Sequence, residues 1–537
     1  MKTICRRILS VSLAAAMALT ALSGCSESKP SSSGAASGAL ESSAQSQTGK
    51  KDELVVAISS DVSTLEPMVQ SGQAIRLIKT CLYRGLMAYQ ADGKIGTEIA
   101  DSYEIGSDNK TYTFQIKKNA KFHDGSDITA EDVKFSLERI LDESVGATFR
   151  SDFVNVLDKV EAVDAKTVKI TLKQPCAPFL DYLTLPESVI VSKAWCESHK
   201  NDLNASPMGS GPYTFTSWDK GREIVLTAFP DFYKTGKPET KSIRFVITPD
   251  ATTRANALQT GDADLIDYVA AKDITAMEKD DSYKVYVSEA PFMCLQFNVK
   301  SGPLANPKVR QAIAYAVDRQ GVINTAFMGR GTQIFGFPTQ KGENGYDGKY
   351  DNYFSFDQEK AKALLKEAGY PDGFKIKVLS SSTYDMHKQT AIVVQDSLKK
   401  IGIDAEVELP DWSTRIERSN KGDYEILVSG TAGNIVDMDW TTNYFESGEP
   451  RMNSSAWFSD AEIDSLLKEG RTTIDAAKRQ EIYDKLRKRV LDLSPFVFIN
   501  YREQAFASSN KVEGFANLPG VLTYNSGLTL EDTFVTE

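Results

Sequence analysis

Asp357-Gln358-Glu359-Lys360-Ala361-Lys362-Ala363-Leu364-Leu365-Lys366-Glu367-Ala368-Gly369, followed by Phe374-Lys375-Ile376-Lys377-Val378, decides the fold class. Asp357 can accept from the unpaired amides at a helix start. Ala361, Leu364, Leu365 and Ala368 recur at helical spacing and make one apolar stripe, and Gly369 supplies the stop. Phe374, Ile376 and Val378 then alternate as a strand. The unit repeats at once: a helix over Ile392 to Lys400, Gly402 as terminator, then Ile403, Ala405, Val407 and Leu409 alternating. Two successive helix–glycine–strand units predict α/β lobes with largely parallel sheets.

Working outward, similar helix starts recur. Thr129-Ala130-Glu131-Asp132 reads as a capping box with Asp in the place of Glu, opening a helix that carries Val133, Phe135, Leu137 and Ile140. Asn306-Pro307 is a cap followed by a first-turn proline, and Ser459-Asp460-Ala461-Glu462 is a further capping box. Leu54-Val55-Val56-Ala57-Ile58 reads as a buried strand that begins the folded body. Before it, residues 26–52 are Ser-, Ala-, Gly- and Gln-rich, too poor in apolar side chains to offset chain entropy, and read as a flexible spacer.

At the N-terminus, Lys2, Arg6 and Arg7 precede an apolar run, Ile8 to Leu22, whose length of about fifteen residues falls short of a membrane span. It ends in Leu22-Ser23-Gly24-Cys25, which looks like a bacterial lipoprotein signal: residues 1–24 are removed and Cys25 is lipidated, tethering the body to the outer face of the cytoplasmic membrane, at the cell surface or in the periplasm. An ordinary secretory signal with an incidental Cys25 is the rival.

A chain of 537 residues implies more than one lobe. Its formal charge of −11, without a basic cluster interleaved with aromatics, excludes nucleic acid as an expected partner. Cys81, Cys176, Cys196 and Cys294 match no zinc spacing, and with three histidines in the chain no histidine-based metal centre is expected. A Cys176–Cys196 disulfide and small buried thiols both remain open. No Gly-x-Ser-x-Gly elbow, His-Glu-x-x-His pair or Gly-x-x-x-x-Gly-Lys loop occurs. In Gly209-Ser210-Gly211-Pro212 the proline stands where a nucleophile elbow would run into helix, so this is read as a turn. No catalytic residue, metal or cofactor is expected, and the chain is read as a non-enzyme.

Ala100-Asp101-Ser102-Tyr103, Tyr112-Thr113-Phe114-Gln115-Ile116-Lys117-Lys118-Asn119-Ala120-Lys121-Phe122-His123-Asp124-Gly125 and the helix from Thr129 to Leu137 together resemble the signature of family 5 solute-binding proteins of ABC importers. These are the oligopeptide-, dipeptide- and nickel-binding group. Leu82-Tyr83-Arg84-Gly85-Leu86, Gly209 to Tyr213, Ala257 to Asp264 and Asn306 to Ile313 are similar to family motifs in the same order. The resemblance implies two α/β lobes in a periplasmic-binding-protein-like (type II) fold, joined by two crossing segments, with an extra subdomain on the first lobe. The matched motifs place the first lobe at 54–87, 184–288 and 500–537, the additional subdomain at 88–183 and the second lobe at 289–499, after a signal (1–24) and a lipidated linker (25–53).

The implied function is capture of a solute by hinge closure and its delivery to the ABC permease transmembrane subunits, with ATP hydrolysed elsewhere. Short peptides lead as the solute; an oligosaccharide or a metal chelate is the alternative, as is a peptide-sensing receptor, with an extracellular hydrolase behind them. In peptide-binding relatives a segment after a second-lobe strand holds the peptide and supplies an acid for its amine. The matching stretch here is Leu427 to Asp437, whose candidate contacts are Thr431, Gly433, Asn434 and Asp437. The acid expected near Gly433 is missing, and Asp437 reads either as its replacement or as a turn acid. Trp412 and Tyr524 are candidate cleft aromatics, with core packing as the rival for Trp412, and Ser71 and Gln73 are candidate cleft polars. Cys294 falls where some relatives place half of a disulfide, with Thr431 at the partner position.

Overall fold

A computed structural model describes residues 49–69, 72–340 and 346–537. The signal, Cys25, most of the linker and Ser71 lie outside the described residues. Among those described, no helix is long and apolar enough to cross a membrane.

One eleven-stranded sheet organises the body. In spatial order its strands are Ile403–Glu408, Phe374–Leu379, Ile426–Thr431, Tyr283–Phe297, Phe496–Ser509, Leu265–Ile266, Glu53–Ile58, Ser242–Ile247, Glu223–Ala228 and Tyr213–Asp219, with Thr332–Gln333 pairing the fifth. The two central strands are long, 15 and 14 residues, and run antiparallel to each other. At one end Phe292 to Phe297 pairs with Ile426–Thr431. At the other, Ala507 and Ser508 pair with Leu265–Ile266. The two long strands thus cross from one end of the sheet to the other, and their ladder is interrupted between Glu289 and Phe292.

The expectation of largely parallel sheets needs correction. Glu53–Ile58 is parallel to its neighbours and Phe374–Leu379 to its own, as the helix–glycine–strand units require. The crossing strands and the run from Tyr213 to Ile247 are antiparallel, so the sheet is mixed. A second, four-stranded antiparallel sheet joins Ala100–Ile105, Thr111–Ile116, Thr167–Leu172 and Leu157–Ala162. Ala130–Leu141 packs on it, burying Val133, Leu137 and Ile140.

Local signals hold where they are strong. Thr129 and Asp132 form the reciprocal capping box, Asp357 accepts from Lys360 N, and Asn306 caps a helix with Pro307 in its first turn. The cap near 460 lies one residue later than the sequence suggests: Asp460, not Ser459, accepts from the amide of Ile463, and Arg489 holds its carboxylate. Cys81, Cys176, Cys196 and Cys294 are all free, buried thiols, so no Cys176–Cys196 bridge forms. Cys294 lies opposite Ser429 in the ladder, and Phe292 lies opposite Thr431.

The motifs quoted above act as structural rivets. Gly211 N donates to Leu82 O at 2.9 Å, and a Cβ at Gly209 or Gly211 would lie 2.0 or 2.2 Å from the carbonyl oxygens of Leu82 and Cys81. Only glycine lets that turn approach the helix end so closely. His123 fastens the turn to the signature loop: its amide donates to Gly209 O, its Nδ1 accepts from Gly209 N, and its Nε2 lies 3.1 Å from Gly211 O. Ser210 is fully buried in the turn.

Candidate functional site

The seam between lobes gathers aromatic and cationic side chains from distant parts of the chain. Trp412 opens a helix, Trp412–Lys421, that Asp411 caps by accepting from Thr414 N. Tyr384 packs edge-on against Trp412, ring centroids 4.9 Å apart, and His387 packs at 5.4 Å. Arg415, one turn along, lies over the Trp412 ring at 4.9 Å and donates to Val428 O and Ser429 Oγ at 3.1 Å each. Burial, then Arg415 and Arg502, push the His387 imidazole down to about 3, so it is neutral and hydrophobic in character at working pH.

From the other side come Tyr268, just past Leu265–Ile266, Arg502 on the return strand and Tyr524 in the 3-10 helix Gly520–Glu531. Arg502 Nη2 donates to Tyr524 Oη at 3.2 Å. Burial raises the Tyr384 hydroxyl above its ordinary value, and the Tyr268 phenol adds to the shift. Tyr444 packs edge-on against Trp440, ring centroids 5.1 Å apart, and its hydroxyl donates to Ala432 O at 2.7 Å.

The sequence-derived candidates divide on this geometry. Trp412 and Tyr524 stand in the cluster. Thr431 is bonded instead to Tyr444, the two hydroxyls 2.7 Å apart. Gly433 lies against the Trp440 ring, where an added Cβ would approach Cγ to 3.1 Å. Asn434 lines a small cavity with Phe149, Asp152, Tyr182, Asp439 and Trp440. Gln73 is buried with both atoms of its amide unpartnered. Asp437 is engaged elsewhere: both its oxygens accept from Arg479, and it caps the turn at Asp439 N. Its carboxylate is consumed inside the lobe, which is the arrangement of a turn acid. Arg502, Tyr268, Tyr384, His387 and Arg415 were not singled out by sequence. The usable signal for Arg502 is a charge set in an apolar strand, after Phe496-Val497-Phe498-Ile499 and before Ala505-Phe506.

Polar contacts also join the stretch 89–182 to the stretch 436–471. Tyr182 donates to Asp439, which Arg471 holds with three bonds of 3.1–3.2 Å, and Ala177 N donates to Arg471 O at 2.9 Å. Val436 N donates to Tyr89 Oη at 3.2 Å, and Tyr89 in turn donates to Asp181. Burial and then the Asp439 charge push the Asp152 carboxyl up to about 7; Arg471 opposes this, and Glu446 adds to it. Between about pH 4 and 7 the folded protein therefore holds a proton that the unfolded chain releases, so this group's contribution to stability falls as pH rises through that window. Asp152→Asn is expected to match the wild type near pH 4.5 and to exceed it near pH 8 by about 1–3 kcal/mol in urea unfolding. A stability difference that does not change with pH would contradict this reading.

Residues 94–453 match the bacterial extracellular solute-binding proteins, family 5 Middle. The glutathione-binding protein GsiB of Pectobacterium atrosepticum is 31% identical over 494 residues, covering 90% of this chain and 94% of that protein. Among solved structures, the periplasmic binding protein AgaA of A. tumefaciens, in complex with agropinic acid, is 47% identical with a TM-score of 0.83, covering 90% of this chain and 99% of that one. DppA of Helicobacter pylori, in complex with the peptide STSA, is 26% identical with a TM-score of 0.81, covering 91% and 99%. The mixed α/β body, the paired crossing strands and these likenesses agree, and the chain belongs to family 5 of the bacterial extracellular solute-binding proteins, the substrate-binding components of ABC transporters that work outside the cytoplasm.

Proposed function

We propose that this protein captures a small peptide or amino-acid-derived solute by closure of its two lobes and passes it unchanged to an ABC permease. The observation that carries this reading is the seam itself: two long strands cross between lobes, with Tyr268 and Tyr524 on Arg502 at one side and Tyr384 packed on Trp412 at the other. Closure follows from differential affinity, because a solute touching both sides favours the closed form. The likeness to glutathione-, agropinic-acid- and peptide-binding proteins supports the solute class. Asp437, bound to Arg479, offers no free acid for a peptide's amine, which favours a solute held by its other groups. The lobes are assigned as 54–87, 184–288 and 500–537 against 289–499, with 88–183 as the additional subdomain.

Lipid on Cys25 would hold the body at the membrane. Cys25→Ala is then expected to move the protein from the membrane fraction to the soluble one; retention in the membrane would contradict the anchor.

Calorimetry and thermal unfolding of the full-length protein in detergent, with glutathione, agropinic acid and the peptide Ser-Thr-Ser-Ala, test the capture reading. A bound solute at a hundredfold excess over its Kd should raise stability by about 2.7 kcal/mol. Trp412→Ala should weaken that solute by about 1–2 kcal/mol through loss of a large ring from the cleft. Silence from every solute, or chemical turnover of one, would overturn the reading.

A further inference from the structure

Most buried arginines here are visibly accounted for. Arg310 and Arg319 are spent on backbone carbonyls: Leu304, Ala305, Leu493 and Ser494 for the first, Ala314, Val317, Ile334 and Phe498 for the second. Arg76, Arg84, Arg139, Arg471 and Arg479 each face a carboxylate. Arg502 does neither. It is 5% exposed. Nη1 donates to Gln504 Oε1 at 2.9 Å, and Nη2 reaches Tyr524 Oη at 3.2 Å and Tyr268 Oη at 3.5 Å, both long for such bonds. Its Nε is buried with no partner, as is Gln504 Nε2 beside it. Among the described residues no Asp or Glu pairs with it.

A guanidinium stays charged in any protein environment, and a buried charge among neutral partners costs several kcal/mol. Two phenols and a carboxamide offset that cost only in part. The unpartnered Nε, next to the loosely held Nη2, forms the edge of the fork that matches a carboxylate with two parallel bonds. Across the seam Arg415 repeats the pattern in weaker form: it too has an unpartnered Nε and no acidic partner among the described residues.

We propose that Arg502 is the anchor for a carboxylate of the captured solute, so that the protein selects acids; this rests on the capture reading above. Arg502 sits where the long strand Phe496–Ser509 enters the proposed first lobe, beside the crossing between lobes. The acid is therefore held at the hinge, and Tyr384 and Trp412 close over the remainder of the solute.

The test is the preference for an acid over its amide. Titrations of full-length wild type, Arg502→Gln and Arg502→Lys use glutathione, agropinic acid and the primary amides of both. The wild type should bind at least one acid about 30-fold or more tightly than its amide. Arg502→Gln should bind acid and amide alike, and Arg502→Lys should recover part of the preference. A residue that merely braced the strand would weaken both solutes together and leave their ratio unchanged, and that result overturns the proposal. Equal binding of acid and amide by the wild type overturns it while leaving solute capture intact. No binding by any of the four overturns both.

Discussion

Arg479→Ala is expected to destabilise the protein by about 3–5 kcal/mol, with loss of a cooperative unfolding transition near physiological temperature. Arg479 donates through both Nη atoms to Asp437, and also to Gly470 O and Tyr483 Oη. Asp437 is 4% exposed. Removing the guanidinium strands a carboxylate where water cannot reach it, and the penalty is that of an uncompensated buried charge rather than of one hydrogen bond. Arg479→Met with Asp437→Asn removes both charges, and should recover much of the loss. Urea midpoints of the wild type and both variants check this. A single-variant loss below about 1 kcal/mol would show that Asp437 is not committed to Arg479, and would return it to the list of amine anchors.

Arg84→Ala should be of similar size, about 3–5 kcal/mol, for a related reason. Arg84 ties three pieces of chain together: Nε donates to Glu98 at 3.0 Å, Nη2 to Glu531 at 2.7 Å, and Nη1 to the carbonyl oxygens of Thr80 and Tyr83. Lys234 bridges the same two carboxylates at 2.9 and 2.7 Å, and Tyr233 donates to Glu98. Without Arg84, one ammonium faces two buried carboxylates. Arg84→Lys keeps the charge but cannot span both acids and the helix end, so roughly half the loss should remain. Thermal unfolding should show the C-terminal segment around Glu531 released together with the region around Glu98. Loss of one without the other would contradict the shared network.

Helix ends were the most legible part of this sequence, because a cap or a terminal glycine is decided within four residues. Thr129, Asn306 and Asp357 cap as expected, and Ile403–Glu408 and Phe374–Leu379 pair in parallel as their helix–glycine–strand units require. Where two acceptors compete, as at Ser459 and Asp460, a distant partner settles the choice; here it is Arg489. The crossing strands were not legible. Phe292 to Phe297 is buried on both faces while Tyr283 to Val287 is partly exposed, so neither alternation nor a uniform apolar run marks the strand. The family and two-lobed fold came from the order of short motifs, several of which act as rivets, such as the turn at Gly209 and Gly211 against the end of the helix Gln73–Leu82.

For the proposed site, the sequence points to aromatics and not to charges. Trp412 and Tyr524 stand out in it because large amphipathic rings suit a wet cleft. Arg415 lies one turn from Trp412, and Arg502 precedes Tyr524 on the neighbouring stretch of chain, so distance along the sequence does not hide them. An arginine in a strand ordinarily reads as a solvated face, and only the three-dimensional placement shows that it lacks a counter-charge. Asp437 illustrates the converse, an acid at the place expected for a ligand contact that the fold has already paired.

Closure around a solute is the central claim. Val163 and Ile392 are exposed, at 60% and 42%, and fall in the proposed additional subdomain of the first lobe and in the proposed second lobe. Spin labels on Val163→Cys and Ile392→Cys, in a protein whose described native thiols are all buried, would report their separation by pulsed electron resonance. The account predicts a broad distance distribution that shortens and narrows when a solute shown to bind by calorimetry is added. An unchanged distribution at saturating solute would contradict it.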